Sequence, residues 1–187
     1  MNIDMTELEM LTREYGGEWG INHTKRLLYL INIIGEDLTF NSEALFIAAH
    51  LHDWGAYPAW IQKNVDHALR SRQVADKFLM ERNYPEELKN LVLDCIIHHH
   101  SNRSDFPIEV ILLRDADALD FLGVVGVMRN FVLAPRDMRK AVDETKRRRD
   151  RSMSILHLEK AKSLASERVK ELDELLIKFE EESAGLF

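Results

Sequence analysis

Apolar positions along this chain recur at intervals of three and four residues, the spacing of one face of an α-helix, and no stretch alternates as a half-buried strand does. Residues 4–15 predict a short acidic amphipathic helix closed near Gly16-Gly17. The next helix is expected over about 21–35 with Asn22 as its cap, and it places His23, Leu27, Leu30 and Ile34 on one stripe. A helix from Asn41 to about Asp53 is apolar almost all round, which suits a central buried element stopped by Gly55 and Pro58, and Leu45, Ala48 and His52 share one of its faces. Asn64 is the expected cap of a helix over about 65–82 with His67 in its first turn. Pro85 opens a further helix to about His100, whose inward stripe is Leu88, Val92, Cys95, Ile96 and His99. Pro107 starts one in which Val110, Leu113, Asp117 and Phe121 align, with Asp120 a turn beyond Asp117. A long amphipathic helix from about Ser152 to Glu182 draws its apolar side from Leu156, Leu164, Val169, Leu172, Leu175, Leu176 and Phe179. The pattern is that of an all-α, multi-helix bundle with a long C-terminal helix.

Size and composition fit one domain over 1–187. A chain of 187 residues that is 45% hydrophobic and 30% charged can bury a sizeable core, and four prolines with eight glycines leave few breaks. No linker, repeat or low-complexity tract divides it, no apolar run is long enough to span a bilayer, and the acidic N-terminus does not read as a signal peptide. The single cysteine, Cys95, rules out an internal disulfide and a cysteine-based zinc site and suits a reducing, cytoplasmic setting. A net charge of −7 argues against a general nucleic-acid coat, without excluding a local basic pocket for an anionic small molecule. Residues 136–151, rich in Arg and Lys, read first as a solvated loop and second as a patch for a phosphate-bearing ligand. The composition is compatible with a homo-oligomer.

Chemistry enters at Ala48-Ala49-His50-Leu51-His52-Asp53-Trp54-Gly55. A carboxylate in a core-like segment is costly to desolvate unless paired or metal-bound, and a neutral imidazole is a common metal ligand, so the adjacent His52 and Asp53 suggest a cation site. Further candidates stand along the chain: His23 upstream, then His67, His98, His99, His100 and Asp117. His50, two residues before His52, points to roughly the opposite side of an ideal helix and reads as packing.

The order His23, then His52-Asp53, then Asp117 resembles the HD-domain superfamily of metal-dependent phosphohydrolases, over roughly residues 19–130. Trp19-Gly20-Ile21-Asn22-His23-Thr24-Lys25-Arg26 is similar to its first histidine motif. Ala48 to Asp53 is similar to its small-and-apolar helix ending in Leu-His-Asp, and Arg114-Asp115-Ala116-Asp117-Ala118-Leu119-Asp120 to its closing segment. The match is nearest the small stand-alone members. Where many of these carry His-Asp-x-Gly-Lys, this chain has Ala56 after Gly55, so no lysine role follows there.

The resemblance implies an HD-like bundle with His23, His52, Asp53 and Asp117 as metal ligands, Asp115 competing with Asp117 on spacing. A mixed nitrogen and oxygen set without thiolate suits Mn, Fe, Co, Ni or Zn, and Mg less well. Hydrolysis of a phosphomonoester or phosphodiester, of a nucleotide or another small phosphorylated metabolite, is the implied reaction. Asp120, His67 and the histidines at 98 to 100 are candidates for the proton-taking base, and Lys25, Arg26, Arg70 or Arg72 for holding phosphate oxygens. His98 and His100, the neighbours of His99, also count as substrate contacts, and a shift of one residue would put His100 in the place of His99. His67 and His99 stay open between second-metal ligand, substrate contact and structure. HD-fold oxygenases with a di-iron site are the first alternative, and a catalytically silent nucleotide sensor the second.

Overall fold

The computed structural model describes residues 5–187 and contains eight α-helices and one short 3-10 turn; among the described residues there is no strand. No helix among them is long and apolar enough to cross a membrane. The chain divides into two compact units, Met1–Arg114 and Asp115–Phe187.

In the first unit α1 (Met5–Ile34) is two helical stretches joined at Gly17, whose φ of 61° and ψ of −163° lie where a Cβ is strained. The break falls where the Gly16-Gly17 pair predicts it; the expected start at residue 4 lies outside the described residues. The helix resumes directly after Gly17, so Asn22 is an exposed interior residue whose amide faces Glu18 at 3.5 Å, and not a cap. The glycine itself makes the turn that a cap would have marked. His23, Leu27, Leu30 and Ile34 are all buried, as their stripe requires.

Helix α2 (Ser42–Leu51) is capped by Asn41, whose Oδ1 accepts from the Ala44 N–H at 3.0 Å. Ala44, Leu45, Ile47, Ala48, Ala49, His50 and Leu51 are all buried, so it is the central helix of its unit, packed against α1 and α4 (Glu86–His98). A 3-10 turn over Trp54–Ala56 follows, and it rests on α3 (His67–Glu81). The cap of α3 is Asp66, whose Oδ1 accepts from Ala68 and Leu69 at 3.0 and 3.1 Å. Asn64 has a left-handed φ of 64°, a conformation asparagine tolerates, and shapes the turn before the cap. Val92, Cys95, Ile96 and His99 are buried along α4, and Leu88 is half-buried. The boundary between the units falls inside α5 (Ile108–Asp120).

The second unit joins the end of α5 to α6 (Gly123–Leu133), α7 (Met138–Ile155) and α8 (Glu159–Glu182). Val127, Val142, Leu172 and Leu176 form its buried cluster, with Phe131, Leu175, Phe179 and Phe187 packed around it. Two features differ from the sequence reading. Helix α6 occupies a stretch to which the spacing assigns no element, and the basic stretch is the helix α7 rather than a loop. Asp137 caps α7 through the Lys140 N–H at 2.9 Å, and Ala141, Val142, Thr145 and Ser152 make a narrow buried face that the density of arginines masks. The final helix therefore starts at Glu159, not near Ser152.

Candidate metal centre

The end of α2 delivers two of the candidate ligands. His52 Nδ1 lies 2.9 Å from the Ala49 carbonyl, a contact that requires the proton on Nδ1 and leaves the Nε2 lone pair free to point outward. Thr24 donates to the same carbonyl at 3.2 Å, tying α1 to α2 beside His23. Trp54, only 1% exposed, anchors the turn after Asp53: its ring packs edge-on against Tyr15 and Phe78, and Nε1 donates to Thr12 Oγ1 at 3.4 Å. A Cβ at Gly55 would stand 2.4 Å from the Ser71 nitrogen and 2.5 Å from the His67 oxygen, so only glycine lets the first turn of α3 come this close. Its N–H donates to Ser71 Oγ at 2.8 Å. The sequence marks Gly55 merely as a helix stop; the clamp it forms joins residues far apart along the chain.

These supports bring three side chains to one point. His23 Nε2 and His52 Nε2 are 3.3 Å apart, and Asp53 Oδ2 lies 3.7 and 3.6 Å from them. Ligands each about 2.1 Å from one zinc-sized ion in a tetrahedral site stand roughly 3.4 Å from one another, so the set has the spacing of donors sharing a cation. Two nearly fully buried imidazoles beside one carboxylate are a nitrogen-rich donor set of the kind divalent transition metals take. Asp53 is the more open member, with 27% of its side chain exposed.

A second group adjoins the first. His67, His99 and His100 also offer ring nitrogens close enough for a common ion. His100 Nε2 is 2.9 Å from His67 Nε2, and the rings of His99 lie edge-on to those of His52 and His67 at 5.2 and 5.4 Å. His99 Nδ1 contacts the Ile96 carbonyl at 2.5 Å, which fixes its tautomer as in His52. Asp53 links the groups: Oδ1 stands 3.8 Å from His67 Nε2 while Oδ2 faces His23 and His52.

The remaining candidates are placed differently. His98 stacks on Phe106 at 4.4 Å, outside both groups. Arg70 closes the loop behind Asp53, donating to the Trp60 carbonyl at 2.8 Å and to Gln73 at 3.2 Å. Lys25 is exposed, and Arg26 and Arg72 are half-buried. His50 is buried, with Nδ1 2.8 Å from the Phe46 carbonyl and its ring 4.3 Å from that of Phe46. Burial pushes its pKa down, so it packs as a neutral ring.

Of the acids in the second unit, Asp115 accepts from the His157 and Leu158 N–H groups at 3.0 and 2.7 Å at the entry to α8. Asp120 pairs with Arg129 at 2.5 Å, both side chains nearly buried. Asp117 is buried on α5. Neither the Asp115 cap nor the Arg129 partner of Asp120 has a signal in the spacing, because each joins separate helices.

The sequence pattern of the HD domain matches residues 20–122. None of the curated proteins compared with the chain matches it. Among solved structures the chain is similar to a predicted HD superfamily hydrolase from an uncultured Thermotogales bacterium, 25% identical over 95% of this chain and 91% of that one, with a TM-score of 0.67. It shares its fold with Bacillus subtilis YpgQ, 21% identical over 98% and 97% with a TM-score of 0.75, and with an HD-superfamily hydrolase from Bacillus thuringiensis, 21% identical over 95% of both with a TM-score of 0.67. The matched region contains His23, His52, Asp53 and Asp117, and with more than half of its length covered by the pattern this chain belongs to the HD domain family.

Proposed function

We propose that this protein is a metal-dependent phosphohydrolase acting on a phosphoester of a nucleotide or another small phosphorylated metabolite. The observation that carries the reading is the convergence of His23, His52 and Asp53 at ligand spacing in a member of the HD domain family. Asp117 is the proposed fourth ligand, on the strength of its motif. The donor set favours Mn, Fe, Co, Ni or Zn over Mg. A divalent ion held there supplies Lewis acidity, bringing the pKa of water toward neutrality and withdrawing charge from a phosphoryl oxygen.

The chain's own residues do the rest. His52 presents a nitrogen oriented by the Ala49 carbonyl, His23 presents a second buried nitrogen, and Asp53 supplies negative charge where the site is most open. His67, with 34% of its side chain exposed and its Nε2 3.8 Å from Asp53, is in position to take a proton as general base, and His100 at 2.9 Å can relay it. His99 and, from the second unit, Asp120 are the other proposed catalytic groups; Lys25, Arg26 and Arg70 remain proposed phosphate contacts. The YpgQ structure that holds ADP makes nucleotides the first compounds to test. A panel of nucleotides and simple phosphate esters, assayed with each of the five metals, should release phosphate or pyrophosphate from at least one class. Binding of a nucleotide without turnover under saturating Mn²⁺ would point instead to a sensor.

In a second reading, in which His67 is a ligand and no longer the base, the His67, His99 and His100 group holds a second, adjacent ion, with Asp53 between the two. Two ions suit hydrolysis, where both can neutralise developing charge, and they also suit a di-iron oxygenase. Twofold iron with O₂ consumption identifies the oxygenase; phosphate release without O₂ uptake identifies the hydrolase.

A further inference from the structure

Helix α7 carries an arginine whose surroundings differ from those of its neighbours. Arg147, exposed, binds Glu144 at 2.5 Å, and Arg149, as enclosed as Arg148, binds Asp150 and Asp173 at 2.9 and 2.5 Å, so both have close carboxylate partners. Arg148 makes no hydrogen bond among the described residues. Its only ion pair among the described residues is with Glu144 at 3.8 Å, a carboxylate already held by Arg147, although only 28% of its side chain is exposed. Its guanidinium lies over the Phe121 ring at 4.6 Å, and the guanidinium of Arg129 lies against the same ring at 4.3 Å. One phenyl ring thus gathers two cations, of which Arg129 is matched by Asp120 and Arg148 by no close carboxylate.

A half-buried guanidinium whose donors no protein group among the described residues takes up, next to another cation, is open to an anion arriving from solvent. Burial pushes the pKa of Arg148 down from its ordinary value, the nearby Arg129 charge pushes it further, and Glu144 and Asp117 oppose this only in part. An oxyanion completes the arrangement: phosphate oxygens match the planar fork of donors, and the charge relieves repulsion between the two arginines. Asp117, the residue proposed as the fourth metal ligand, lies on the same unit and close enough for its charge to be felt by Arg148.

We propose that Arg148, held against Phe121 and backed by Arg129, binds a phosphate group of the protein's phosphorylated ligand. The identity of the anion as phosphate rests on the hydrolase reading above; the existence of an anion subsite does not. Arg148 is then the functional residue of the basic stretch, while Arg147 and Arg149 are taken up by carboxylates of the protein.

The test is calorimetric titration of the Mn²⁺-loaded full-length protein with inorganic pyrophosphate, comparing wild type with Arg148→Gln, Arg148→Lys and the surface control Arg147→Gln, with metal content measured alongside. One charge-assisted contact predicts a roughly ten- to hundredfold weaker pyrophosphate affinity in Arg148→Gln. Arg148→Lys should fall in between, and Arg147→Gln should match wild type, all with unchanged Mn²⁺ content. Pyrophosphate binding in Arg148→Gln within about twofold of wild type, an equal loss in Arg147→Gln, or no binding by wild type overturns the proposal. A wild type that takes up no Mn²⁺ sinks the metal reading and leaves this comparison of affinities intact.

Discussion

Asp53 reaches His67 with one carboxylate oxygen, Oδ1 at 3.8 Å from Nε2, and turns the other toward His23 and His52 at 3.7 and 3.6 Å. It is the only carboxylate among the six side chains of the two candidate groups. Replacing it should therefore affect both. Even partners outside the ligand shell are worth about 10- to 100-fold in metal affinity, so Asp53→Ala should lower bound Mn²⁺ at least about tenfold and abolish hydrolysis, with unchanged helical circular dichroism. If His67 holds a second ion, His67→Ala should remove one of two metal equivalents and keep the other; if it is the base, His67→Ala should keep the metal and lose turnover. Plasma mass spectrometry of the dialysed proteins reads both results; full metal content in Asp53→Ala sinks the assignment.

Asp115 and Asp117 compete on spacing, and variants of the two separate the proposed ligand from its rival. Asp115 closes the entry to α8 through His157 and Leu158. Removing such a cap costs about 0.5–2 kcal/mol, so Asp115→Ala should lower the Tm and keep its metal. Asp117→Ala should do the reverse, losing metal with little change in the Tm of the metal-free protein. Metal loss on Asp115→Ala with a normal Tm would exchange their roles.

How much of this was legible depends on whether a signal is local. The stripe through His23, the buried α2 and the inward position of His99 follow from apolar spacing within one helix, and each is found buried. The kink at Gly17 is equally local, since two adjacent glycines announce it. Helix α7 was hidden because eight Arg and Lys between 136 and 151 outweigh a buried face only a few residues wide. The pairing of His67 with His100, the cap formed by Asp115 and the salt bridge of Asp120 with Arg129 each need tertiary structure, which fixes them across 33, 42 and 9 residues of chain. Sequence supplies the chemical types at these positions and leaves their partners undetermined.

Gly55 provides a test of the support behind the centre. A methyl group there meets the backbone at Ser71 and His67, and the backbone cannot swing aside as a flexible side chain can. Gly55→Ala should destabilise by about 1–3 kcal/mol, the usual range for forcing a methylene into a packed interior. It should also reduce turnover more than Ala56→Gly, because the displaced first turn of α3 carries His67. Thermal melts and initial rates on the two variants check this; a Gly55→Ala protein with wild-type stability would show that the close approach is not maintained in solution.

His50 is the control within the His-Asp segment. Its ring is 1% exposed, Nδ1 is bonded to the Phe46 carbonyl, and the buried Nε2 has no hydrogen-bond partner. Truncating a buried side chain of this size leaves a cavity, which for large apolar residues costs about 2–5 kcal/mol. Deleting an unsatisfied buried nitrogen returns about 1–3 kcal/mol of desolvation penalty. The two effects leave His50→Ala about 1–3 kcal/mol less stable. His50→Leu, which refills much of the volume without a buried polar atom, should be the more stable of the two. Both variants should keep wild-type metal content and turnover at temperatures well below their melts. The outcome that counts against this picture is His50→Ala losing metal while melting like wild type: the imidazole facing the cation would then be that of His50, and the face assigned to the end of α2 would have to rotate by two residues.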